Sequence, residues 1–150
     1  MKKSLFILLF LCGCGFSPMY SDKTADVYVA PISGTNGIDL RNALNAKFGS
    51  ENSVSAKYTL NVKLENPSTK YKAIQTTGDA TWQEVQLRAS YVLTDGDTVI
   101  TSGVENASES YTFVRYLVAA TASHNNAVQN TIKLLSEKIG SRVIAKIPKS

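Results

Sequence analysis

Glu84-Val85-Gln86-Leu87-Arg88-Ala89-Ser90-Tyr91-Val92-Leu93-Thr94-Asp95-Gly96-Asp97-Thr98 decides the fold. Val85, Leu87, Ala89, Tyr91 and Leu93 alternate with Glu84, Gln86, Arg88 and Ser90, the two-residue period of a strand with one face buried. Asp95-Gly96 is a strong hairpin signal, so Thr98 to Val104 returns as the partner strand, and Ser110 to Val114 is a further β-leaning piece that extends that strand or follows it. Upstream, Tyr58, Leu60, Val62 and Leu64 alternate with Thr59, Asn61, Lys63 and Glu65 and read as another strand. Pro67 then marks a bulge or an edge, and Tyr71 to Thr76 carries the ribbon to a turn at Thr77-Gly78-Asp79. Val27-Tyr28-Val29-Ala30, stopped by Pro31, is a short first strand.

Two stretches change period. From Ile38 to Phe48, Leu40, Ala43, Leu44, Ala46 and Phe48 recur near helical spacing, and Gly49 ends the pattern. From Ala120 to Ile144, Val128, Ile132, Leu135, Ile139 and Val143 form one apolar stripe, with Lys138, Arg142 and Lys146 complementing the C-terminal dipole. The order strand, helix, strands, helix predicts an α+β fold: a two-layer sandwich in which a mostly antiparallel sheet of about four strands packs against two helices.

Composition bounds the rest. Of 150 residues, 43% are apolar and 19% charged, enough apolar side chains for one ordered domain. The formal charge of +4 includes Lys2 and Lys3; without them 14 basic residues face 12 acidic ones. A surplus that small excludes charge-driven nucleic-acid binding. Both cysteines, Cys12 and Cys14, precede the fold, so its body holds no disulfide and no thiolate metal site. His124 is the only histidine, and no nucleophile-elbow motif accompanies it. Gly34 and Gly37 lack the lysine of a phosphate loop. Asp95 and Asp97 are solvated turn residues, and His124 is expected exposed or capping near the start of the long helix. The residues point away from an enzyme, and no cofactor is expected.

The beginning of the chain sets the compartment. Met1-Lys2-Lys3 is a basic start, and Leu5 to Leu11 is a run of seven apolar residues, far short of a membrane span. Leu11-Cys12-Gly13-Cys14 resembles a bacterial lipobox. Cleavage before Cys14 would leave a thiol and an amine for acylation, and two or three acyl chains hold a protein to a membrane essentially permanently. The chain therefore divides into a signal peptide (1–13), a lipidated tether (14–26) and one α+β domain (27–147), the only non-protein group being the covalent lipid on Cys14.

Cys14-Gly15-Phe16-Ser17-Pro18-Met19-Tyr20, directly after the lipobox, resembles the start of the lipopolysaccharide-assembly lipoproteins of the LptE family, in the alphaproteobacterial style. The order of elements is similar too. The resemblance implies a non-enzymatic outer-membrane lipoprotein facing the periplasm and a barrel lumen. Its partners would be lipopolysaccharide and the large β-barrel of the LptD family, which it would plug, help to assemble and serve in lipopolysaccharide transport. Basic positions that such proteins use against lipopolysaccharide phosphates fall near Gln75 and His124 here. Lys70 and Lys72, flanking Tyr71, and Arg88 are the cations that could take over that work. The other reading is an auxiliary lipoprotein of a lipid-transport ABC system at the cell envelope.

Overall fold

The computed structural model describes residues 25–49, 55–74, 80–113 and 116–147. The lipobox, Cys14, the expected tether up to residue 24, Gln75 and the turn at Thr77-Gly78-Asp79 lie outside the described residues. In chain order the elements are β1 (Val27–Val29), α1 (Thr35–Phe48), β2 (Tyr58–Leu64), β3 (Ser68–Ile74), β4 (Ala80–Asp95), β5 (Thr98–Thr112) and α2 (Leu117–Lys146). The fold is α+β, with five strands where about four were expected.

β4 organises the sheet. It is 16 residues long, roughly 50 Å at about 3.3 Å per residue. One side is paired along its length by β5, from Trp82 opposite Thr112 to Asp95 opposite Thr98. The other side is shared: β2 takes Ala89 to Asp95 and β3 takes Ala80 to Gln86, all antiparallel. The fifth strand arises because the ribbon after Pro67 does not continue β2. Residues 65–67 leave the sheet, and the chain re-enters beside β4 as a separate strand. Pro67 thus belongs to a link between strands and not to a bulge. β1 pairs with β2 in parallel, a geometry that needs a crossover, which α1 supplies.

Alternation along β4 splits the sheet into two faces. Val85, Leu87, Ala89, Tyr91 and Leu93 are buried against the helices with Val27, Val29, Tyr58 and Leu60. α1 adds Leu40, Leu44 and Phe48, and α2 adds Ala127, Val128, Ile132, Leu135, Ile139 and Val143. The predicted stripe of α2 is the core stripe. α1 ends where Gly49 turns left-handed (φ 64°) and its N–H closes on the Asn45 carbonyl at 3.0 Å, the usual glycine stop. The helices approach closely at Gly140, where an added Cβ would run into the Lys47 side chain. Lys47 then pairs with Glu137.

Both helices begin earlier than the apolar periodicity indicates, α1 at Thr35 and α2 at Leu117. The first ten residues of α2, 117–126, contribute no buried side chain. That third of the helix runs past the core, beside the end of the β3–β4–β5 ribbon.

Candidate functional site

The second face of the sheet carries no helix. On β5 it presents Ser102, Val104, Asn106, Ser108, Ser110 and Thr112, all exposed. On β4 it presents Gln86, Arg88, Ser90 and Val92. Apart from Val92 and Val104, the residues are polar and mostly uncharged because they are the outward half of strands whose inward half fills the core.

The expected cations collect on this face. Lys70 lies opposite Glu84 in the β3–β4 register. Tyr71 pairs with Gln83 and Ala73 with Trp82, which leaves Lys72 as the extra residue of a β-bulge. A bulge bends its strand and re-aims a side chain, and the Lys72 ammonium lies 3.1 Å from Glu84 Oε2. Gln86 Nε2 donates to the other oxygen of Glu84. The hydrogen bond from Lys72, then that from Gln86, hold the Glu84 carboxyl below its usual 4.5. Glu84 is thus an ionised, mostly covered acid set between two lysines, a role the alternation pattern alone did not reveal. Its signal in the sequence is a carboxylate on the polar side of a strand whose neighbour carries Lys-Tyr-Lys.

Arg88 stands further along the same row, its Nε 3.7 Å from Glu65 Oε1. It marks the place where β2 leaves β4 and β3 joins it, and there the Glu65 N–H donates to the Arg88 carbonyl at 2.9 Å. An open hollow of about 470 Å³ lies at this junction, lined among others by Glu65, Asn66, Ser68, Gln86, Arg88 and Lys138.

His124 is placed elsewhere. It is half-buried in the second turn of α2, neither exposed nor a cap. Its Nδ1 is 3.0 Å from the Tyr111 hydroxyl, which in turn donates to Gln83 Oε1 at 2.5 Å. With the hydroxyl hydrogen given to Gln83, the Tyr111–His124 bond requires the tautomer that bears its proton on Nδ1. The rings meet edge to face, with centroids 5.7 Å apart. Gln83 and Tyr111 belong to the helix side of the sheet, and Lys70, Glu84 and Arg88 to the bare side. Lys70, Lys72 and Arg88 are therefore brought to one face, and His124 pins the start of α2 to the opposite one.

Among the described residues no group of three or more His, Cys, Asp or Glu side chains is placed to hold a metal ion. No described helix is long and apolar enough to cross a membrane.

A curled sheet roofed by two helices on one face is a layout that this chain shares with solved lipoprotein structures. A lipoprotein from Caulobacter crescentus superposes with a TM-score of 0.63 at 16% identity, over 81% of this chain and 90% of that one. Rare lipoprotein B from Shewanella oneidensis gives 0.62 at 10% identity, over 79% and 93%. A minor lipoprotein from Acinetobacter baumannii gives 0.59 at 11%, over 81% and 92%. No curated protein matches the sequence. The chain belongs to the LptE lipopolysaccharide-assembly family, whose model matches residues 24–144.

Proposed function

We propose that this chain is an outer-membrane lipoprotein, lipidated on Cys14, that seats in the lumen of a large β-barrel of the LptD family and assists the passage of lipopolysaccharide into the outer leaflet. Family membership supports a role in lipopolysaccharide assembly, and the observation that carries the finer reading is the bare face of β4 and β5. Barrel interiors are polar and hydrated. A face of Ser, Thr, Asn and Gln side chains can exchange its water hydrogen bonds for bonds to such a lining without burying an unpaired group. Lys70, Lys72 and Arg88 add cations that suit lipid-borne phosphates, with Glu84 and Glu65 holding Lys72 and Arg88 in place. The chain acts by binding, with no catalytic step and no cofactor beyond its covalent lipid.

The test is to tag the C-terminus, extract the envelope in mild detergent and identify stoichiometric partners by mass spectrometry. One large outer-membrane barrel at equal stoichiometry is the expected result. Recovery alone, or with a periplasmic transport subunit, would replace this reading with that of an auxiliary lipoprotein of a lipid transporter.

A further inference from the structure

Among the described residues, six of the eleven exposed large apolar side chains lie at one end of the molecule, the others (Ile38, Val92, Val99, Val104 and Leu134) being scattered over it. Tyr71 and Trp82 lie on β3 and β4, and Phe113 follows β5. Tyr116, Leu117 and Val118 open α2. The register places Trp82 opposite Thr112, one residue before Phe113, and Tyr71 opposite Gln83, whose other neighbour is Tyr111. These six residues therefore ring the free end of the β3–β4–β5 ribbon. Tyr116, Leu117 and Val118 are 82%, 81% and 84% exposed. No core function explains them, since none of residues 117–126 of α2 is fully buried. His124 and Tyr111 hold the start of α2 against the ribbon.

Two further observations say what meets this tip. The first is charge: Lys70 and Lys72 border it with the single carboxylate of Glu84 between them, paired to Lys72, which leaves a net positive charge, and the first turn of α2 contains no acidic residue. Trp and Tyr around aliphatic side chains, with lysines behind them, is the composition of a surface that enters an anionic lipid interface. The second is position. The described chain enters at Ala25 beside β1, and Val27 pairs with Tyr58, which pairs with Asp95. That is the hairpin end of β4, and the tip is the other end, roughly 50 Å away by strand length.

We infer that the tip is a second lipid-contacting element that docks onto an anionic phospholipid bilayer surface, remote from the end at which the N-terminal segment enters. The aromatic rings and Leu117 and Val118 enter the acyl boundary while Lys70 and Lys72 face the phosphates. The inference does not depend on a barrel partner.

Trp82 is the only tryptophan in the chain and stands within the patch, so it reports on docking. The full chain, anchored in plain vesicles of phosphatidylethanolamine and phosphatidylglycerol, is mixed with a second vesicle population of the same lipids bearing brominated acyl chains. Expected are a blue shift of Trp82 emission and several-fold stronger quenching than with brominated phosphatidylcholine vesicles. Leu117→Asp with Val118→Asp should abolish both effects; the two side chains are 81% and 84% exposed, so the variant is expected to fold. Lys70→Glu with Lys72→Glu should remove the anionic preference and leave residual quenching. Absence of quenching by anionic vesicles, or quenching unchanged in the Leu117→Asp, Val118→Asp variant, overturns the inference. So does a Trp82 shift that appears only when a protein partner is added, which would make the tip a protein-docking surface.

Discussion

Gly103→Ala is expected to destabilise this protein, although glycine inside a strand usually weakens it. Gly103 faces Tyr91 across the β4–β5 ladder. A Cβ on Gly103 would lie 2.8 Å from the Tyr91 hydroxyl oxygen, 3.0 Å from Cζ and 3.1 Å from Cε1. The Tyr91 ring is only 4% exposed and lies within the core, so it has no free direction in which to move. Gly103 does not have a positive φ, so alanine fits the backbone and on entropy alone should gain about 0.4–1 kcal/mol. Overpacking a filled core costs about 1–3 kcal/mol, which leaves a net loss of about 0–2.6 kcal/mol, centred on about 1.3 kcal/mol, or several degrees in Tm. Urea unfolding of wild type, G103A, Y91L and the double variant measures it. The alanine should cost much less in the Y91L background, where the ring is gone. If G103A is as stable as wild type or more so, or its cost is the same in the Y91L background, the ring does not pack on Gly103 and the β4–β5 register is wrong.

Leu135→Asp should prevent folding, because Leu135 is fully buried and an unpaired carboxylate there costs several kcal/mol, whereas the neighbouring Leu134→Asp, at a position 43% exposed, should melt near wild type. Similar circular-dichroism melts for both would show that the α2 stripe is not the core. Acid should weaken the Lys72–Glu84 pair. Glu84 is held below 4.5, so its contribution is complete above that pH and is lost as pH falls through the lower folded value. Urea midpoints of Glu84→Gln should therefore decline less steeply than wild type towards about pH 3. Parallel declines would remove Glu84 from the acid response. Lys70→Glu with Lys72→Glu should weaken lipopolysaccharide binding at least about ten-fold, since each charge-assisted bond contributes about 1.5–3 kcal/mol. Full binding by the folded variant would separate the lysines from the ligand. Cys14→Ala should block lipidation and leave the precursor uncleaved on gels; normal palmitate labelling would place the anchor elsewhere.

The alternation from Val85 to Leu93, the Asp95-Gly96 turn and the stripe from Val128 to Val143 were legible because each imposes one period on one buried face. The split of β4 between β2 and β3 was not, since pairing partners are set by where residues 65–67 leave the sheet and not by local pattern. The first turn of α2 was missed for a related reason. Leu117 and Val118 face water, so they add nothing to the stripe from which the helix was read. Lys70, Lys72 and Arg88 were identifiable as cations on strands, and their common face follows from strand parity. The bulge at Lys72, and with it the covered acid Glu84, depends on a one-residue offset in register. His124, named from a resemblance in position, lies on the helix side of the sheet, where its hydrogen bond to Tyr111 gives it a different task.

The claim that the bare sheet face meets a barrel lumen is tested most directly by photo-crosslinking in cells. A benzophenone side chain is placed at Ser90 or Ser108 on that face and, for comparison, at Asn42 on the exposed side of α1. We expect Ser90 and Ser108 both to crosslink to one large outer-membrane barrel. A face that yields no barrel adduct, while Cys14 is lipidated and the protein is folded, would contradict the account.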